Sequence, residues 1–143
     1  MMKIILFVVS LAALSTLADA RIYTTINGSL LLNDTSLDYA RSDWRYLVVD
    51  FDKGCKWCHI FRPYFRQARI DLKAENAGVA FGWVNLKKNP ITEAKYNIAN
   101  HPTQLLFIRN YAKSPLRYYG TKNTNSLKAW IKQKLAEVKA LGY

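Results

Sequence analysis

Leu47-Val48-Val49-Asp50-Phe51-Asp52-Lys53-Gly54-Cys55-Lys56-Trp57-Cys58 passes from a branched, nearly continuous apolar segment, through a glycine, into two cysteines with two residues between them. Leu47 to Phe51 has the length and branching of a strand buried on both faces. Gly54 punctuates the chain. From Cys55 to about Glu75 the apolar residues Trp57, Ile60, Phe61, Tyr64, Phe65, Ala68 and Leu72 recur at spacings of three and four, which predicts a helix with these residues as its inner face. Pro63 inside it should kink it, and Asn76-Ala77-Gly78 ends it.

Outward from this centre the chain alternates strand and helix. Ser29 to Leu32 reads as a first strand and Ser36 to Trp44 as a first helix. After the central helix come a strand over Val79–Val84, a short helix from Pro90 to Tyr96 with Ile91 and Ala94 inward, and a strand over Gln104–Ile108. Leu116–Tyr119 pairs back as a hairpin partner. A last helix runs from Ser126 to about Leu141, capped by Thr124 or Asn125, with Leu127, Trp130, Ile131, Leu135 and Val138 on one face. Trp44, Trp83 and Trp130 are expected in the core. The order β-α-β-α-β-α-β-β-α predicts one α/β domain over 21–143 with a mixed central sheet flanked by helices on both faces.

The chain contains only these two cysteines. A bridge across two intervening residues closes so short a loop that it constrains little of the unfolded chain, so the pair is a poor staple and reads as a redox couple.

Four features in this order resemble the thioredoxin superfamily, and most of all a single catalytic domain of protein disulfide isomerase. They are Cys55-Lys56-Trp57-Cys58 between a buried strand and a helix, Pro63 in that helix, His101-Pro102-Thr103 before the strand Gln104–Ile108, and Gly120 before the last helix. The placement suits the chemistry, because the attacking group is a thiolate and a helix N-terminus favours an anion. The resemblance implies a thioredoxin-like fold and thiol–disulfide exchange by a mixed-disulfide route. It assigns Cys55 as nucleophile, Cys58 as buried resolving thiol, and Asp50 as the buried acid that moves protons to and from Cys58. It assigns Pro102 as the family's cis-proline, shaping the substrate groove together with Trp57 and His101. No bound cofactor is needed.

The departures fall on the residues expected to tune the pair. Gly54 stands where the family usually has tryptophan, and the segment before Cys55 is one residue short. Lys56 should favour the Cys55 thiolate by charge, and Trp57 should be exposed. A protonated His101 would stabilise the thiolate and make a better oxidant. Lys122 is the nearest match to the arginine that the isomerases carry after the last strand.

Other chemistries share these residues. Cys55-x-x-Cys58-His59 matches a haem-attachment signature, with His101 as a possible second ligand. Cys55, Cys58, His59 and His101 together have the donor types of a zinc site. A non-catalytic thioredoxin-like binding module is a third reading. None displaces the redox reading, and no metal site is assigned.

Met1-Met2-Lys3, an apolar run from Ile4 to Leu17 and Ala18-Asp19-Ala20 form a secretory leader over 1–20, too short an apolar run to anchor. The expected location is the secretory route: secreted, in the ER lumen, or periplasmic. Asn27-Gly28-Ser29 and Asn33-Asp34-Thr35 are sequons for a eukaryotic host. The chain carries 21 Lys and Arg against 10 Asp and Glu, a formal charge of +11. The positives are scattered, which points to a preference for acidic partners and not to a specific nucleic-acid site. The expected partners are protein or peptide substrates with thiols or disulfides, plus a redox partner protein or glutathione. The chain is expected to be a monomer with no membrane span.

Overall fold

The computed structural model describes residues 21–143. The leader reading falls on residues outside the described ones. Among the described residues six strands and four helices follow in the order β1 (Thr25–Ile26), β2 (Ser29–Leu32), α1 (Ser36–Asp43), β3 (Tyr46–Asp52), α2 (Lys56–Ala74), β4 (Ala80–Asn85), α3 (Pro90–Lys95), β5 (Thr103–Ile108), β6 (Leu116–Arg117) and α4 (Thr124–Ala140). The strands form one sheet in the order β1-β2-β4-β3-β5-β6. β2, β4 and β3 run parallel, while β1, β5 and β6 join antiparallel.

β3 is central, and every one of its residues is buried. Its side chains alternate between the two faces of the sheet, as the pleat requires. Tyr46 and Val48 pack with Phe61, Phe65, Ala68 and Leu72 of α2 and with Leu127, Ile131, Leu135 and Val138 of α4. Leu47, Val49 and Phe51 pack on the other face with Leu37 and Ala40 of α1 and with Ile98 after α3. Gly82 of β4 sits between β2 and β3, where a Cβ would lie 2.7 Å from Leu32 and 3.3 Å from Val49. Glycine allows that close approach.

Several expectations are corrected by packing. The stripe on α2 is two stripes: Phe61, Phe65, Ala68 and Leu72 are buried, but Trp57, Ile60 and Tyr64 are exposed. A spacing of three and four fits either stripe, and only the sheet chooses between them. On α3 the buried residue is Thr92, whereas Ile91 is 68% exposed and Ala94 is exposed. Polar bonds set that helix, with the Asp34 amide donating to Asn89 Oδ1 at 2.9 Å and the Thr92 amide to Asp34 Oδ1 at 2.8 Å. β1 was not expected. Its signal lies in Asn27-Gly28, where both residues have positive φ (49° and 81°), so the sequon is also the two-residue turn of a β1–β2 hairpin. Trp44, Trp83 and Trp130 are half-buried, with Trp44 and Trp130 packed against the two core clusters.

The cap of α4 is Asn123, whose Oδ1 accepts from the Ser126 amide at 2.8 Å, in place of the expected Thr124 or Asn125. Asn123→Ala is therefore expected to remove about 1 kcal/mol of unfolding free energy. Asn125→Ala, on the exposed helix surface, should change it by less than about 0.5 kcal/mol. Urea unfolding of the two variants measures both.

Candidate active site

β3 ends at Asp52, and the chain turns through Lys53 and Gly54 into α2. Gly54 has φ +73°, in the left-handed region, and a Cβ there would meet the Lys87 side chain at 2.8 Å. That conformation brings Cys55 to the N-cap of α2. Cys55 is half-buried and Cys58, one turn on, is fully buried. The two are joined as a disulfide with Cα atoms 4.9 Å apart. The Cys58 amide donates to Cys55 Sγ at 3.0 Å. A sulfur at this position therefore receives a backbone N–H and the positive end of a helix of 19 residues, both of which favour a thiolate over a thiol.

Strand alternation explains the acids that precede the cysteine pair. Asp50 and Asp52 share the face of β3 that carries Tyr46 and Val48, so the apolar face turns acidic as it approaches the cysteines. Asp50 is fully buried. Its partner across the β3–β5 register is Gln104, whose Nε2 donates to Asp50 Oδ1 at 2.9 Å. Lys122 Nζ in turn donates to Gln104 Oε1 at 2.5 Å. Asp50 Oδ2 has no hydrogen-bond partner among the described residues. Burial pushes the Asp50 carboxyl up to about 7, with the Gln104 bond opposing and the Asp52 charge assisting. Lys122 is an exposed residue whose ammonium is pushed down by partial desolvation, and the Asp50 charge opposes that. A cleft of about 310 Å³ lined by Asp50, Arg62, Arg66, Trp83, Pro63 and Asn27, among others, reaches this carboxyl.

The sequence reading missed Asp52 and its neighbours. Arg62 clasps Asp52 with Nε to Oδ2 at 2.5 Å and Nη2 to Oδ1 at 2.9 Å. The Gly54 amide and the Trp83 indole N–H donate to the same carboxylate at 2.7 and 3.3 Å. Burial would raise Asp52, but Arg62, the Gly54 amide and Trp83 together hold it below the usual carboxylate range. The available signal was the two-residue spacing of the acids within a strand, which places both on one face.

The remaining candidates fall around this centre. Trp57 is 65% exposed, with the Lys56 ammonium 5.8 Å from the centre of its ring. Pro102 is buried and the His101–Pro102 peptide bond is cis. His101 is directed to Glu93, with Nε2 3.9 Å from Oε2, and Lys53 Nζ holds the other Glu93 oxygen at 2.9 Å. His59 is exposed on α2, with Nδ1 2.8 Å from Arg62 Nη1. Cys55, Cys58, His59 and His101 do not form a ligand cluster, and no group of three or more His, Cys, Asp and Glu among the described residues is placed to hold a metal ion. Asn27 and Asn33 are both exposed, and Asn33 Oδ1 accepts from the amides of Thr35 and Ser36. Among the described residues no helix is long and apolar enough to cross a membrane.

The raised Asp50 carboxyl has a consequence for stability. The folded protein binds this proton more tightly than the unfolded chain, so the stabilisation is complete below the unfolded carboxylate range. It is lost as pH rises to about 7. Asp50→Asn keeps an acceptor for Gln104 and carries no charge. Relative to the oxidised wild type, it should gain roughly 3 kcal/mol between about pH 4 and pH 8. Denaturant unfolding across that range checks this, and parallel pH profiles would refute it.

Comparison with known proteins agrees with this geometry. The Thioredoxin family model matches residues 32–133. The first thioredoxin domain of mouse protein disulfide-isomerase A4 is 19% identical, with a TM-score of 0.69 over 81% of each chain. The Trx4 domain of ERdj5 is 25% identical, with a TM-score of 0.64 over 76% of this chain and 96% of that one. The J-Trx1 fragment of ERdj5 is 21% identical with a TM-score of 0.66 over 74% of this chain, which spans about half (51%) of that fragment. A cysteine pair at this spacing, oxidised at the head of a helix that follows a buried strand, is the equipment of a thiol–disulfide oxidoreductase, and the chain belongs to the thioredoxin family.

Proposed function

We propose that this chain exchanges disulfides with protein or peptide substrates, with Cys55 attacking and Cys58 resolving. The observation that carries it is the Cys55–Cys58 disulfide at the head of α2, with Cys55 half-buried and Cys58 fully buried. In the reducing direction the Cys55 thiolate attacks one sulfur of a substrate disulfide. A Cys55–substrate bond forms and the second substrate sulfur leaves as a thiolate, which takes a proton. Cys58 then gives its proton to the Asp50 carboxylate and attacks Cys55 Sγ. The substrate's first sulfur leaves, and two electrons have passed from the cysteine pair to the substrate. Oxidation of substrate thiols is the reverse. With its carboxyl near 7, Asp50 is populated in both forms at neutral pH, which suits a group that must take and return a proton.

Pro102 and His101 border the groove for an extended peptide, with Trp57 as its exposed apolar contact. Lys56, Trp57 and His101 are the residues proposed to tune the pair. A redox partner protein or glutathione returns it to its working state. The setting proposed is the secretory route, as a monomeric domain over 21–143 released from the leader at 1–20. Asn27 and Asn33 are available for glycosylation in a eukaryotic host.

Cys55→Ser is expected to abolish dithiol-dependent disulfide reduction. Cys58→Ser should still attack and then accumulate a mixed disulfide, visible on a non-reducing gel. Full activity in Cys55→Ser would sink the reading. Equilibration with glutathione buffers gives the direction: a potential near about −180 mV marks an oxidant or shuffler, and one near about −270 mV marks a reductase.

A further inference from the structure

Two carboxyl groups stand side by side on one face of β3, both enclosed, yet their surroundings are opposite. Asp52 accepts four hydrogen bonds, two of them from the Arg62 guanidinium, and its side chain is 1% exposed. Asp50 accepts one, from the neutral Gln104 amide, and its second oxygen has no partner among the described residues. Like charges so placed resist joint ionisation. The arrangement gives the negative charge to Asp52, where a guanidinium offsets it, and leaves the proton to Asp50.

We infer that Asp52 and Arg62 are positioning residues for the proton step, an opposed pair of buried charges that together set how readily Asp50 releases its proton. The inference deepens the proposed function and rests on Asp50 as proton carrier for Cys58. Neither residue needs to touch substrate. Asp52 pushes the Asp50 carboxyl up and Arg62 pulls it down, and those are the directions in which each charge acts on Asp50. The other groups facing Asp50 are accounted for. Along the cleft they are Arg66 of α2 and the neutral Trp83 of β4. On β5 it is Gln104, and before α4 it is Lys122, which donates to Gln104 and whose charge lowers Asp50. Arg62 is also hydrogen-bonded to His59, which secures its guanidinium one turn of α2 beyond Cys58.

The opposition supplies a test that a merely structural pair would not meet. The Asp50 carboxyl is titrated by carbon-13 NMR in the oxidised protein, where neither thiol titrates, with its signal assigned from Asp50→Asn. Asp52→Asn should lower the Asp50 midpoint by about one pH unit, and Arg62→Gln should raise it by about one. The double variant should return close to the wild-type midpoint. Arg62→Gln alone strands a buried charge and could fail to fold. The comparison of Asp52→Asn with the double variant then carries the Arg62 arm, because neither contains that charge. Midpoints that stay put, or that move the same way, overturn the inference. The pH profile of the Cys58 attack in the same variants tests the underlying reading separately. Opposed midpoints with an unmoved profile would uphold the charge pair and remove Asp50 as the proton carrier.

Discussion

Burying two carboxyl groups at the end of the central strand is costly, and the rest of this structure is arranged around that cost. An acid in the interior survives by losing its charge, by gaining an opposite charge, or by collecting donors. The end of β3 uses all three. Asp50 holds its proton up to about pH 7, Asp52 has Arg62, and Gly54 and Trp83 fill the remaining acceptor sites. Each partner comes from a different element, so the site exists only when β3, β4, β5, α2 and the approach to α4 are assembled.

The same end of the sheet shows how fold and chemistry share one pattern. Along β3, one face reads Tyr46, Val48, Asp50, Asp52, a change from core to charge within a single row of side chains. The apolar half anchors α2 and α4. The acidic half meets the first turns of α2, where the disulfide sits. Cys58 belongs to both, as a buried core residue and as a reacting group.

Much of this was legible in the sequence. The apolar run at 47–51, the break at Gly54 and the cysteine spacing placed the strand, the helix and the redox pair correctly. The hairpin and final helix followed from turn residues and a period of three to four. What could not be read came from partners distant in sequence. Trp57, Ile60 and Tyr64 keep helical spacing yet face outward, because the sheet has room for only one stripe of α2. Ile91 lies outside because two polar bonds to the segment after β2 orient α3. Asp52 is an acid whose own neighbours in the sequence do not mark it as buried. Only Arg62, ten residues on, and Trp83, on another strand, make it an interior one.

The two outermost strands are only two residues long. β1 folds over the border of β2 by the Asn27-Gly28 turn, and β6, preceded by Pro115, does the same for β5. Little backbone is thus left along either border for another chain to pair with. In the exchange proposed above, an extended substrate segment would meet these borders at close range. Short borders would let such a segment be held at the sulfurs and released without the sheet itself being extended by what it has bound.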